Sequence, residues 1–230
     1  MFYKFYELNH ALIQPWRSVA HATGMFYRNP INPISRTDFG RTMAAWTEVF
    51  ERSTRRYAKP EFGIDATIID GEEVAVSEAV VWEKPFCKLI HFERALERPI
   101  ADQPKILLVA PMSGHYATLL RGTVERFLPD AEVYITDWVD ARTVPVSDGQ
   151  FDLSDYIDYL IEMMSHLGPD THIVGVCQPS VPVLAAVAVM EKHGDPNAPS
   201  SMTLMGGSID TRRNPTAVNE LAEEKDLDWF

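Results

Sequence analysis

Residues 171–190, THIVGVCQPSVPVLAAVAVM, constrain the fold more than any other stretch of the 230-residue sequence. The apolar run from His172 to Val176 predicts a short buried strand. Gly175-Val176-Cys177-Gln178-Pro179 predicts a sharp turn, and Val183 to Met190 predicts a helix of small residues. That layout would put Cys177 at a helix N-terminus, where the helix dipole and unpaired N–H groups favour a thiolate. Gly175, two residues earlier, would let a strained turn pass close to its neighbours. The plainer alternative is a buried cysteine in an ordinary strand-to-helix connection, because cysteine usually packs as a small hydrophobe.

Composition narrows the class of partner. Hydrophobic residues make up 46% and charged residues 23% of the sequence, which predicts a globular chain with one sizeable core. Lys+Arg 21 against Asp+Glu 33 gives a net charge of −12, which argues against nucleic acid. The two cysteines, Cys87 and Cys177, suggest a reducing compartment and no disulfide framework. They lack metal-ligand spacing, so no metal is expected. No apolar run reaches the ~18 residues of a membrane span, so no integral membrane association is expected. The N-terminal MFYKFYELNHALIQPW reads as a mature, cytoplasmic start.

Residues 1–58 read as an aromatic helical arm, with residues 59–230 as the core. Pro15 is expected to limit any single helix in the arm. Thr37 or Asp38 can cap a second helix, on which Phe39, Met43, Trp46 and Phe50 form an amphipathic stripe. The arm would pack against the core or meet an apolar substrate or granule. Ala66 to Ile69, the Asp70-Gly71 pair and Val74 to Trp82 predict a hairpin. Lys88 to Phe92 predicts a further strand, completing an antiparallel edge. From Lys105 strands and helices alternate: strands 106–110, 132–136, 172–176 and 202–205, with helices 118–127, 152–167 and 183–190 between and after them. This predicts an α/β chain with a mostly parallel, doubly wound sheet. Ligands to such sheets bind at the carboxyl ends of strands. Met112–His115, Asp137–Asp140, Cys177 and Gly206–Asp210 all fall there. Residues 216–228 read as one acidic helix.

Thiol chemistry needs oxyanion donors and a base. Backbone N–H groups at Gln178 and near Met112 or Ser113 are the candidate donors. Gly114 lets that loop turn; His115 is a pocket-lining residue or a base. Gly114, His115 and Asp137 are the candidate substrate-binding positions. Asp137 and Asp140 also suit a loop and helix cap, and Asp210 could orient an imidazole. The other histidines, His10, His21, His91, His166, His172 and His193, sit poorly for a base to Cys177.

Four segments carry a resemblance: MFYKFYELNHALIQPWR, VAPMSGHYATLLRGTVERFLPDAEVYITDWVDAR, HIVGVCQPSVPVLAAVAVM and MTLMGGSIDTRRNPTAVNELA. Together they resemble the intracellular poly(3-hydroxybutyrate) depolymerases of bacteria. The resemblance implies an α/β-hydrolase fold and cleavage of stored polyester at the granule surface in the cytoplasm, without cofactor. It also implies that the cysteine of the G-x-C-x-P turn, here Cys177, is the nucleophile. The family's catalytic Asp and His lie in a C-terminal portion that has no counterpart here, so the sheet is expected to stop short of its last strands. Two other readings stay open. One is a polyhydroxyalkanoate synthase-like acyltransferase, although those turns usually carry Gly where this chain has Pro179. The other is an inactive granule-binding fragment. The oligomeric state is not readable from the sequence.

Overall fold

The computed structural model describes residues 2–96, 103–112, 116–226 and 229. They fall into two compact units, residues 1–58 with 220–230, and residues 59–219.

In the first unit a 27-residue helix, α1 (Phe2–Arg28), runs antiparallel to α2 (Asp38–Thr54). Pro15 does not interrupt α1, contrary to the expectation from its missing N–H. It lies on an exposed stretch between Leu12 and Trp16, where the carbonyl it leaves without an amide partner can bond water. Thr37 rather than Asp38 caps α2, its Oγ1 accepting from the Gly40 N–H at 3.1 Å. Close approach sets the seam between the helices. A Cβ on Gly24 would lie 2.9 Å from Thr47 Oγ1. Arg17 reaches across to donate to the Thr54 carbonyl at 3.0 Å.

The second unit is built on a seven-stranded sheet in the order β1-β2-β3-β5-β4-β6-β7. Its strands are β1 (Ala66–Ile69), β2 (Glu72–Lys84), β3 (Cys87–Arg94), β4 (Lys105–Val109), β5 (Glu132–Trp138), β6 (Thr171–Val176) and β7 (Ser201–Met205). Strands β1 to β3 form the antiparallel edge, and β5, β4, β6 and β7 are mutually parallel. The Asp70-Gly71 turn takes φ +52° and +86°, the double left-handed turn whose twist suits a two-residue hairpin.

Alternation along the parallel strands splits the core in two. Ile106, Leu108, Val133 and Ile135 face Leu120, Val124 and Leu128 around α3 (Arg121–Phe127). Leu107, Val109 and Ile173 face α4 (Leu153–Leu167) and α5 (Ser180–His193). Helices therefore cover both faces, the doubly wound arrangement expected from the sequence. Asp152 and Asp155 form a capping box at the start of α4. Tyr156, Tyr159, Leu160, Met163 and Met164 form its buried face, while Leu153 is exposed.

Several elements differ from their expected bounds, four of them for a reason the structure shows. The first part of the 118–127 helix is a tighter turn, Ala117–Leu120, before α3 begins. Strand β5 runs on to Trp138 because Asp137 and Trp138 pair with Lys88 and Cys87 of β3. Helix α5 starts at Ser180, since Pro182 falls in its first turn, where a missing N–H is harmless. The acidic helix is short, α6 (Ala217–Glu224). Glu223 and Glu224 oppose the negative C-terminal end of the helix dipole and do not sustain it further. No helix among the described residues is long and apolar enough to cross a membrane.

Candidate functional site

Cys177 sits where β6 ends and α5 begins, with φ +65°. A non-glycine residue in this region is strained by roughly 1–2 kcal/mol. Three contacts hold it there. The Cys177 N–H donates to the Met205 carbonyl at 2.7 Å, and its own carbonyl accepts from the Ser180 N–H at 3.0 Å. The Pro179 carbonyl then accepts the first regular helix bond, from the Val183 N–H at 2.9 Å. Pro179 has φ −55° and needs no donor at this position, so it suits the helix start.

The turn is tight enough to need glycine on two sides. A Cβ on Gly175 would lie 3.2 Å from Val183 Cγ2 and 3.4 Å from the Pro179 backbone. A Cβ on Gly207 would lie 2.1 Å from Ser180 Oγ and 2.4 Å from the Cys177 carbonyl oxygen. Gly175 was legible in the sequence. Gly207 falls within the Gly206–Asp210 segment at a predicted strand end, and the Gly206-Gly207 pair is its signal in the sequence.

The two cysteines lie in opposite environments. Cys177 is exposed, and Cys87 is fully buried. Burial pushes the Cys87 thiol well up, and the Asp137 carboxylate adds to that shift. Of the two thiols, only that of Cys177 is within reach of a ligand from solvent.

The oxyanion candidates follow from strand register. Val109 of β4 pairs with Gly175 of β6, so the chain segments leaving both strands start side by side. Met112 and Gln178 each lie three residues beyond that pair. Among the described residues neither backbone N–H has a hydrogen-bond acceptor. The segment after β4 is pinned from β5. The Ala110 N–H donates to Thr136 Oγ1 at 2.9 Å, and Trp138 Nε1 donates to the Ala110 carbonyl at 2.9 Å. Ser113, Gly114 and His115 lie outside the described residues.

Two adjoining hollows open at this end of the sheet. One, of about 420 Å³, is lined by Met112, Tyr116, Trp138 and Asp140 among others. The other, of about 580 Å³, is lined by Phe86, Met112, Val144 and Phe151 among others. Cys177 lines neither.

The carboxylates are not gathered around the thiol. Asp137 is a buried strand residue, not a loop cap, with Oδ2 ion-paired to Lys59 Nζ. Asp140 does cap the turn after β5, its Oδ1 accepting from the Arg142 N–H at 3.1 Å. Asp210 is engaged by Arg212, whose Nε lies 2.8 Å from Oδ1, and that hydrogen bonding holds its carboxyl below the usual range. Asp210 therefore orients no described imidazole.

The described histidines stand apart too. His172 Nδ1 lies 2.7 Å from Ser201 Oγ at the far end of β6, about 17 Å of strand away from Cys177. His193 ends α5, about 20 Å along the helix. His91 bonds Glu132 at 2.7 Å on β3. Among the described residues no cluster of His, Cys, Asp or Glu could hold a metal ion.

No family model matches the sequence, and no curated protein matches it. Solved structures do overlap with it. Naproxen esterase from Bacillus subtilis is 13% identical over 56% of this chain and 42% of its own, at a TM-score of 0.39. A putative esterase from Staphylococcus aureus is 11% identical over 84% and 60%, at 0.44. A membrane phospholipase A is 12% identical over 95% and 58%, at 0.47. The chain thus spans 42% to 60% of the length of these structures. Overlaps this loose say nothing of substrate, and the fold is read from the chain itself. Its antiparallel β3 beside β5, its exchanged order β5-β4-β6 and its strained turn between β6 and α5 make this an α/β-hydrolase fold.

Proposed function

We propose that this chain carries the nucleophile and oxyanion half of a thiol ester hydrolase acting on stored poly(3-hydroxybutyrate). The observation that supports it most is the exposed Cys177 at φ +65° on the turn between β6 and α5. That position is the one from which α/β-hydrolases present their nucleophile. The four segments resembling intracellular poly(3-hydroxybutyrate) depolymerases support the choice of polyester.

The reaction has two halves. Cys177 Sγ attacks the ester carbonyl, and the oxyanion is held by the N–H of Gln178 with one near Met112 or Ser113. Each such donor contributes on the order of 3 kcal/mol. The carbon–oxygen bond breaks, the alcohol end of the polymer leaves with a proton, and a 3-hydroxyacyl thioester remains on Cys177. Water then cleaves the thioester and frees the thiol. The thiol proton goes to an imidazole supplied from outside the described residues, oriented by a carboxylate. Substrate would approach along the hollows at Met112 and Trp138, at the granule surface in the cytoplasm.

Release of 3-hydroxybutyrate from amorphous polymer granules tests this reading, with Cys177→Ala as the control. Release that the substitution abolishes is the expected result. Incorporation of 3-hydroxybutyryl-CoA into polymer would instead identify a synthase-like acyltransferase. Granule capture by both proteins, with neither release nor incorporation, would leave a binding fragment and overturn the enzyme.

A further inference from the structure

The helical hairpin of α1 and α2 is built inside out. The α1 side chains turned towards α2 are His10, Ile13, Arg17, Ala20, Gly24 and Tyr27, a seam of small and polar groups with few large apolar ones. A second face of α1 carries Phe5, Leu12, Val19 and Phe26, one every seventh residue, at 63%, 61%, 58% and 55% exposure. Leu8 and Trp16 lie beside them, at 58% and 67%. A water-facing helix normally shows the reverse pattern.

We infer that this face is the contact between two copies of the chain, helix α1 against helix α1. Three observations favour a second copy over a flat apolar surface. The first is the repeat. A straight helix drifts by ~20° per heptad against a seven-residue repeat, about 60° over the three heptads from Phe5 to Phe26. A partner helix follows that drift by supercoiling, whereas a planar surface does not.

The second is charge. Arg17 and Arg28 are turned to α2, where Arg17 bonds the Thr54 carbonyl at 3.0 Å and Arg28 lies 3.5 Å from Glu48. Both are engaged with α2, although Arg28 stays half-exposed beside Glu48, and the chain as a whole carries −12, which opposes an anionic headgroup. The third is area. Six large side chains more than half exposed offer about 100 Å² each, so about 600 Å² per copy. Two copies would bury ~1,200 Å², the size at which specific interfaces begin.

Light scattering on the eluting protein, at tens of micromolar, tests the inference. The expected mass is about twice the 26.0 kDa of one chain. Leu12→Glu with Val19→Glu should return it to a single-chain mass with unchanged helix content by circular dichroism. Ser18→Glu, on a third and polar face of α1, should leave the double mass intact. Trp16→Ala, which adds no charge, should weaken self-association at least tenfold, and it serves if the double variant fails to fold. A wild type that runs as one chain overturns the proposal, as does a double mass that survives the Glu pair. A single-chain wild type that floats with neutral phosphatidylcholine vesicles, and loses this with Trp16→Ala, would assign the face to an apolar surface instead.

Discussion

The backbone of Gly207 passes so close to Cys177 that a single added carbon would stand 2.4 Å from the Cys177 carbonyl oxygen. The same carbon would collide with Ser180 at 2.1 Å from Oγ. Neither neighbour can retreat easily: one is backbone, and the other is a fully buried side chain in the first turn of α5. We expect Gly207→Ala to cost about 2–4 kcal/mol in denaturant unfolding. It should also change the alkylation rate of Cys177, because relief requires the turn to move. Unchanged stability and unchanged alkylation would mean that the two segments do not meet as described.

Alkylation should also separate the two thiols. Iodoacetamide on the folded protein is expected to add one group, at Cys177, and a second only after denaturation, at Cys87. Burial and the nearby Asp137 carboxylate keep the Cys87 thiol protonated as well as hidden. Intact mass before and after urea reads this directly, and Cys177→Ala should abolish native labelling.

Backbone strain at Cys177 has its own signature. Glycine adopts φ +65° without strain, whereas the Cβ of alanine is strained there. Cys177→Gly should therefore be more stable than Cys177→Ala by about 1 kcal/mol, the reverse of the usual order. Chemical denaturation of the two variants checks it. An alanine variant equal to or better than glycine would argue against a left-handed residue in the turn.

Glu132 predicts the acid limb of stability. Burial raises its carboxyl, but hydrogen bonds from His91 and Arg94, with their charges, outweigh this and bring it below the ordinary 4.5. A group depressed in the folded state binds protons more readily when unfolded. Its contribution is thus present above about pH 4.5 and is lost as pH falls through the lower folded value. Glu132→Gln should lower stability at neutral pH by about 2 kcal/mol, since the fully buried Arg94 guanidinium loses its counter-charge. It should also flatten the loss of stability on acidification. Melting curves between neutral pH and pH 3.5 test both effects.

Much of the second unit was legible because local signals and tertiary demand agree there. Asp70-Gly71 announced a two-residue hairpin, and the 171–190 run announced strand, turn and helix. Alternation of strand and helix announced a sheet covered on both faces. Where the sequence misled, one local rule was outweighed by a contact distant in sequence. Pro15 reads as a break, yet α1 is continuous because its other residues pack against α2. Asp137 reads as a loop residue, yet β5 carries it into the ladder opposite Lys88, with Lys59 as counter-charge. Gly207 is placed by the sequence only at the end of a predicted strand, because its closeness to Ser180 depends on a crossover from α5 to β7. The histidine nearest Cys177 in sequence, His172, lies at the far end of β6, and none of the described histidines is brought to the thiol by the fold.

The bond from the Cys177 N–H to the Met205 carbonyl is one rung beyond the last parallel pair, Val176 with Met205. The thiol is therefore mounted on the end of a zip. If β7 docked one residue out of step, that acceptor would point elsewhere, and the Gly206-Gly207 gap would close against a side chain. A misregistered copy would lose the φ +65° turn at Cys177 together with its register. Register of the last parallel strand and geometry of the Cys177 turn are therefore one constraint, met or missed together.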